Sequence, residues 1–267
     1  MSKWNTFDEY GRNAQLKPAL IAFLPLTISL LAWTGTGSAI AKTIGAILTT
    51  SGATYALAMI ARNRGRELQK RLWEEWGGSP TLQLLRHRGT GNPVLRERWH
   101  RCLEKLVERK FPTSEEEAAR PAEADLVYDA AINLLINQRR DKTKYPLIFR
   151  ENVNYGFCRN LFGLRGIGIT TAIIGTTASA ACGFYTNSNV QALPWGCCLI
   201  NLIILSTWVA IVTQAWVKPP ALAYAERLLE SCDADVPTKK TKVKKSRITE
   251  GNKANELGER SAENIGT

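Results

Sequence analysis

From Gly166 to Val217 the chain runs for 52 residues without one Asp, Glu, Lys, Arg or His. A water-soluble surface cannot be built from such a run, so it has to meet lipid or a large interior. Histidine is scarce, with only His87 and His100. No two of the six cysteines stand as C-x-x-C, so neither a zinc site of ordinary ligand spacing nor a small disulfide framework is expected. Buried free thiols are the expectation, and no cofactor is implied. There is no Asn-Gly or Asp-Gly turn and no sustained alternation of apolar and polar residues, which argues against a β-sheet. "WGGSPTLQLLRHRGTG" lacks the G-x-x-x-x-G-K-[ST] order of a phosphate loop and reads as a glycine-made break between helices. His87 stands between two arginines, and His100 reads as a packing or surface residue of an amphipathic helix. No nucleophile–base pair stands out, so the chain is read as non-enzymatic.

What is present is a strict segregation of charge. Lys17 and Lys42 bracket 24 uncharged residues, 18–41, and a further 19, 43–61, precede Arg62. A helix crosses the hydrocarbon core with about 20 apolar residues, so each block suffices for one span and the long block for two. We place spans near 18–34, 41–61, 167–185 and 194–217. "GTGS" at 35–38 joins the first pair, and the polar break "TNSNVQ" at 186–191 joins the second. Pro25 kinks the first span, and Lys42 lies near enough to the interface to snorkel. A signal peptide is the competing reading of the first block, but Asp8 and Glu9 precede it and a second apolar block follows at once.

The expected fold class is an all-α membrane protein, two transmembrane helical hairpins flanking a small helical cytosolic domain. The divisions are an N-terminus over 1–17, hairpins over 18–61 and 166–217, the domain over 62–165, and a basic, largely disordered tail over 218–267. The segment 62–165 carries 21 Lys plus Arg against 14 Asp plus Glu, and the tail 10 against 8. Positive charge marks the cytoplasmic side, so both termini and the central domain are expected there, with "ARNRGR" at 61–66 as the strongest stop signal. Within the domain, "GGSP" at 77–80 ends a basic helix. A helix with Leu95, Trp99, Leu103, Leu106 and Val107 on one side follows "TGNP". Ser114 and Glu117 have capping-box spacing before Pro121, after which Val127, Ala131, Leu134 and Leu135 recur at helical spacing.

Three groups are candidate functional residues. In "ENVNYGFCRNLFGLR", Arg150, Tyr155, Phe157, Arg159, Phe162 and Arg165 interleave rings and guanidiniums where the domain meets the third span. That mixture suits a collar at the lipid headgroups, with Arg159 and Arg165 on lipid phosphate or on acidic groups such as Glu151, or else a ligand site. Gly175, Ser179 and Gly183 form a small-residue stripe for helix packing. Lys239, Lys240, Lys242, Lys244, Lys245 and Arg247 in the tail are candidates for anionic lipid, at roughly 1 kcal/mol per base. Charge alone does not make that tail a nucleic-acid site.

With "LWEEWGGSPT", "LRHR" and "ENVNYGFCRNLFGLRGIGI", the chain resembles a group of bacterial membrane proteins without an assigned activity. They share W-G-G-x-P-T, L-R-H-R and N-Y-G-F-x-R-N segments between apolar hairpins. The resemblance implies the bacterial cytoplasmic (inner) membrane and no site residues. The expected partners are membrane lipids and a protein, either a different molecule or a second copy of the chain. A stress or phage-defence effector has this layout, while a small transporter or channel would need more polar residues in its spans than Lys42, Asn201 and Gln214 supply. Topology is directly testable. Reporter fusions after residue 66, after residue 140 and at the C-terminus should report cytoplasm, and one at Asn189 the outside; a cytoplasmic Asn189 would overturn the four-span arrangement.

Overall fold

The computed structural model describes residues 8–34, 51–89, 91–186 and 192–232. Among the described residues all regular structure is helical. A π-helical segment, Gly11–Leu16, leads into α1 (Lys17–Thr34). It is followed by α2 (Ser51–Glu75), α3 (Pro80–Leu85), α4 (Pro93–Val107), α5 (Ser114–Ala119) and α6 (Pro121–Gln138). The chain continues through α7 (Pro146–Gly163), α8 (Arg165–Tyr185), α9 (Ala192–Ala210) and α10 (Gln214–Glu230). Met1–Leu229 form one compact unit; of the second, from Glu230, only the first three residues are described.

Three of these helices are long and apolar enough to cross a membrane: Gly11–Thr34 with 24 residues, Arg165–Tyr185 with 21 and Ala192–Ala210 with 19. The fourth expected span, near 41–61, lies partly outside the described residues, as do the turn at 35–38, Lys42, most of the break at 186–191 and the six tail bases. Its described part belongs to α2, which passes through "ARNRGR" to Glu75 without interruption. Leu31, Ile174, Leu199 and Ile203 lie on the outside. These apolar outer faces are what a bilayer solvates.

The inner faces of α1, α8 and α9 are built from small and polar residues. α8 packs against both of the others. Gly175 lies where an added Cβ would stand 2.7 Å from the Pro25 carbonyl oxygen and 3.0 Å from Asn201 Nδ2; at Gly183 it would stand 2.9 Å from the Trp195 ring. Gly168 makes room for the indole of Trp208, which is buried with Ala19, Ala22 and Leu164. Hydroxyls and amides tie the three helices together. Ser29 Oγ donates toward the Pro25 carbonyl (2.8 Å) and the Gly175 carbonyl (2.9 Å), and Thr171 Oγ1 donates to Ala22. Trp33 Nε1 donates to Ala178 at 3.2 Å. On the outer faces Thr170, Thr177, Ser206 and Thr207 return their hydroxyls to carbonyls of their own helices. In hydrocarbon there is no water to take these groups, so each must be met inside the protein.

α9 stops at Ala210, well short of the end of the uncharged run at Val217. The backbone turns there, with the Thr213 N–H donating to the Ile211 carbonyl at 2.8 Å. Arg165 supplies a reason. Its Nε donates to the Trp208 carbonyl at 3.2 Å and its terminal nitrogen to the Val209 carbonyl at 3.0 Å. Helix ends leave carbonyls without intrahelical partners, and a guanidinium from the start of α8 takes two of them. Residues 214–230, expected to hold the end of a span and the start of a disordered tail, instead form α10 despite Pro219 and Pro220.

α3 to α6 form a second group, α6 packing against the other three. Gly77 and Gly78 make the break before α3 at φ +77° and +135°, conformations in which a side chain would be strained. The buried face of α4 is Arg96, Trp99, His100 and Leu103, and Leu95 is exposed. The expected apolar face is therefore turned by about one residue.

The packing of α8 generates a prediction. Gly175→Leu should drive a side chain into the Pro25 carbonyl and destabilise the protein by about 1–3 kcal/mol, whereas Ile174→Leu, on the outer face, should leave the melting temperature in detergent within about a degree. Equal losses would mean that the α1–α8 contact does not limit stability.

Candidate functional site

The stretch 151–165 folds almost entirely into α7, with Leu164 as the single joint before α8. Gly156, Asn160 and Gly163 recur at i, i+4 and i+7 and so share one face. That face takes two neighbours. A Cβ at Gly163 would stand 2.8 Å from the Gly65 nitrogen, and one at Gly156 would stand 2.6 Å from the Tyr10 hydroxyl. Asn160 lies in the middle, fully buried. Its Nδ2 donates to the Ala14 carbonyl of the π-helical segment, and its Oδ1 accepts from Arg159 Nε at 3.1 Å. A Cβ at Gly65 would overlap the Asn160 amide. α2 and α7 therefore meet backbone to backbone, and the π-helical segment lays the Tyr10 and Ala14 side chains against the backbone of α7.

The six residues singled out on this stretch divide accordingly. Tyr155 is buried with Leu72, Val217 and Ala221 and stacks on Tyr224 at 6.4 Å. Phe157 meets Trp216 edge to face, and Phe162 packs against the same interior. These rings face protein. Arg150 is exposed and pairs with Glu151 at 3.3 Å, a contact worth little at a surface. Arg159 reaches Gln69 through its NH1 group and lies over the Tyr155 ring. Arg165 caps α9. Neither of these two arginines meets Glu151, one of the acidic groups offered as an alternative to lipid phosphate. Cys158 is buried among these helices, and burial pushes its thiol up to about 11, so it is held as an unreactive apolar group.

A second polar cluster, in α3 to α6, was not legible in advance. Glu117 is 1% exposed yet accepts four hydrogen bonds. They come from the backbone N–H of His87 (2.8 Å) and Arg88 (3.2 Å), the Arg88 guanidinium (3.0 Å) and the Tyr128 hydroxyl (2.9 Å). Burial works to raise its pKa, but the two backbone donors, Tyr128 and Arg88 outweigh that and hold it below the ordinary value. Beside it, Asp125 receives Arg86 bidentately, both contacts at 2.7 Å, and also Arg88 at 2.9 and 3.0 Å. The rings of His87, His100, Phe111 and Tyr128 pack at centroid distances of 5.0 to 5.5 Å. Each histidine donates from Nε2 to a carbonyl, His87 to Pro112 (3.1 Å) and His100 to Leu85 (2.7 Å).

"LRHR" is thereby the loop that wraps a buried carboxylate. Because Glu117 turns inward, the capping box of α5 falls one residue earlier than expected: Thr113 and Glu116 form it, and Ser114 is the first helical residue. With its acceptor positions filled, Glu117 has no free lone pair to take a proton from a substrate; its geometry is that of a hub. Among the described residues no group of three or more His, Cys, Asp or Glu is placed to hold a metal ion.

Acid should open this hub. Burial lowers the His100 pKa, and the donors around Glu117 lower its pKa against the effect of burial. A depressed folded-state pKa contributes stability that is complete above the unfolded value and lost as pH falls through the folded one. Stability should therefore fall first below about pH 6.5, through His100, and again below about pH 4.5, through Glu117. Glu117→Gln should remove the second step, and a melting-temperature profile unchanged by that substitution would overturn the assignment.

Compared with known protein families, with curated proteins and with solved structures, the chain matches none of them.

Proposed function

We propose that this is a non-enzymatic integral membrane protein of the bacterial cytoplasmic membrane, with four spans in two hairpins and both termini inside. Its helices α3 to α6 form a cytosolic module that binds or senses a protein partner, in the manner of a stress or phage-defence effector. The observation that carries this reading is the joint between module and membrane. α2 runs unbroken from Ser51 to Glu75, α7 passes into α8 through Leu164 alone, and the two cross at Gly65 and Gly163. A partner that moves the module therefore moves the spans.

The intramembrane polar groups support anchoring over transport. Asn201 is fully buried between α1, α8 and α9, where its Nδ2 donates to Ser29 (3.2 Å) and Ser179 (3.4 Å), while its Oδ1 has no partner among the described residues. A permeation path would need them lining an aqueous opening.

A photo-cross-linking residue at Val94 or Leu126, both 71% exposed on the module, should give one discrete protein adduct in intact bacteria. The same residue at Ile173, on the outer face of α8, should not. Purified protein in liposomes should pass no ions or small solutes unaided. Solute flux without module adducts would replace this reading with a transporter.

A further inference from the structure

A cavity of about 560 Å³ opens between α2, the start of the chain and α7, lined by Arg62, Arg66, Arg159, Asp8, Tyr10 and Tyr55 among others. One face of α2 forms its long wall. Tyr55, the adjacent pair Ala58 and Met59, Arg62 and Arg66 recur three or four residues apart, so the wall passes from apolar to cationic along a single helix face. That change runs in the direction in which α2 leaves its uncharged stretch. Across the cavity Arg159 engages Gln69 and Asn160 through NH1 and Nε, leaving its second terminal nitrogen without a described partner.

The charges here are not balanced from within. Among the described residues no acidic side chain forms an ion pair with Arg62 or Arg66. The one carboxylate in the lining, Asp8, spends Oδ1 on the Gly11 N–H at 2.7 Å. Three guanidiniums facing one carboxylate repel each other unless an anion joins them, and planar guanidinium forks match phosphate oxygens better than any other side chain does. Surface arginines that merely solvate a helix need no concave site. These three share one.

We propose that this cavity binds a phosphate-bearing amphiphile, with the phosphate between Arg62, Arg66 and Arg159 and the apolar part lying along Met59 and Tyr55. The gradient along α2 favours a phospholipid headgroup over a soluble phosphate ester, because a soluble ligand has no use for the apolar half of the wall. The inference uses only the exit of α2 from the bilayer near Arg62, and it is independent of what α3 to α6 recognise. The reporter fusion after residue 66 tests that placement separately.

The experiment uses the full-length protein purified in a neutral maltoside detergent, with binding followed by thermal shift and native mass spectrometry. The probes are dihexanoyl-phosphatidylglycerol, dihexanoylglycerol, which lacks the phosphate, and glycerol 3-phosphate, which lacks the chains. The phosphatidylglycerol should bind saturably and the diacylglycerol should not. Arg62→Gln with Arg66→Gln should weaken binding by roughly tenfold per arginine. These side chains make no described hydrogen bond and repel one another, so the unliganded melting temperature should stay at or slightly above that of the wild type. Arg64→Gln removes the same charge from an exposed position of α2 outside the lining, and it should change affinity by no more than about twofold. Glycerol 3-phosphate binding as tightly as the lipid, and lost in the double variant, would keep the phosphate site and assign it a soluble ligand. Equal loss in Arg64→Gln, or no saturation with either phosphate-bearing probe, would overturn the proposal.

Discussion

The close approach of α7 to α2 and to the π-helical segment around Asn160 is the constraint on which the remainder of the structure depends. Helices with side chains at the contact sit 8–10 Å apart; Gly65, Gly156 and Gly163 remove the side chains and let α7 lie against α2 and the π-helical segment. That proximity is what lets one amide satisfy the Ala14 carbonyl, and the buried amide in turn forbids any slip of the crossing. A shifted register would strand a polar group in a dry interior, which costs more than the contact itself contributes. The positions of Tyr155, Arg159 and Arg165 all follow from this one crossing.

Within the apolar bundle the same economy operates with different groups. Serine, threonine and asparagine staple α1, α8 and α9, helices that have no hydrophobic drive to associate where all surroundings are equally apolar. Ser29 is the centre of this arrangement, because its oxygen accepts from Asn201 while its hydroxyl donates to carbonyls of two helices. The glycines of α8 act at the same contacts by admitting a carbonyl, an amide or an indole where a Cβ would stand.

How much of this was legible in the sequence varies with the range of the interaction. Segregation of charge made the apolar helices visible, since hydrophobic length is a local property, and the Gly77–Gly78 break was visible for the same reason. The inward face of α8 also followed from the spacing of its small residues. The end of α9 was not legible, because it is set by Arg165, a residue 43 positions away. Nor was the capping register of α5, because Glu117 has two uses open to it and the choice is made by His87, Arg88 and Tyr128. The partners of the α7 aromatics were not legible for a related reason. Rings beside arginines suit a lipid interface, but the Tyr224 and Trp216 rings they meet lie on α10, a helix that the run of uncharged residues concealed. Gly156, Asn160 and Gly163 did carry a readable signal, an i, i+4, i+7 pattern of small or amide side chains in an otherwise bulky helix.

The unbroken course of α2 has a mechanical meaning. At 1.5 Å per residue its 25 residues make a rod of about 37 Å. Gly65, where α7 crosses it, lies near the middle rather than at an end. A rod held at its midpoint is a first-class lever, with arms of comparable length on either side of the fulcrum. Glu75 lies about 15 Å beyond Gly65 and Ser51 about 21 Å before it, so a tilt of about 10° displaces them by about 2.6 Å and about 3.6 Å in opposite senses. At the fulcrum the contact is the backbone of α7 and the Asn160 amide, which sits where a Gly65 Cβ would stand.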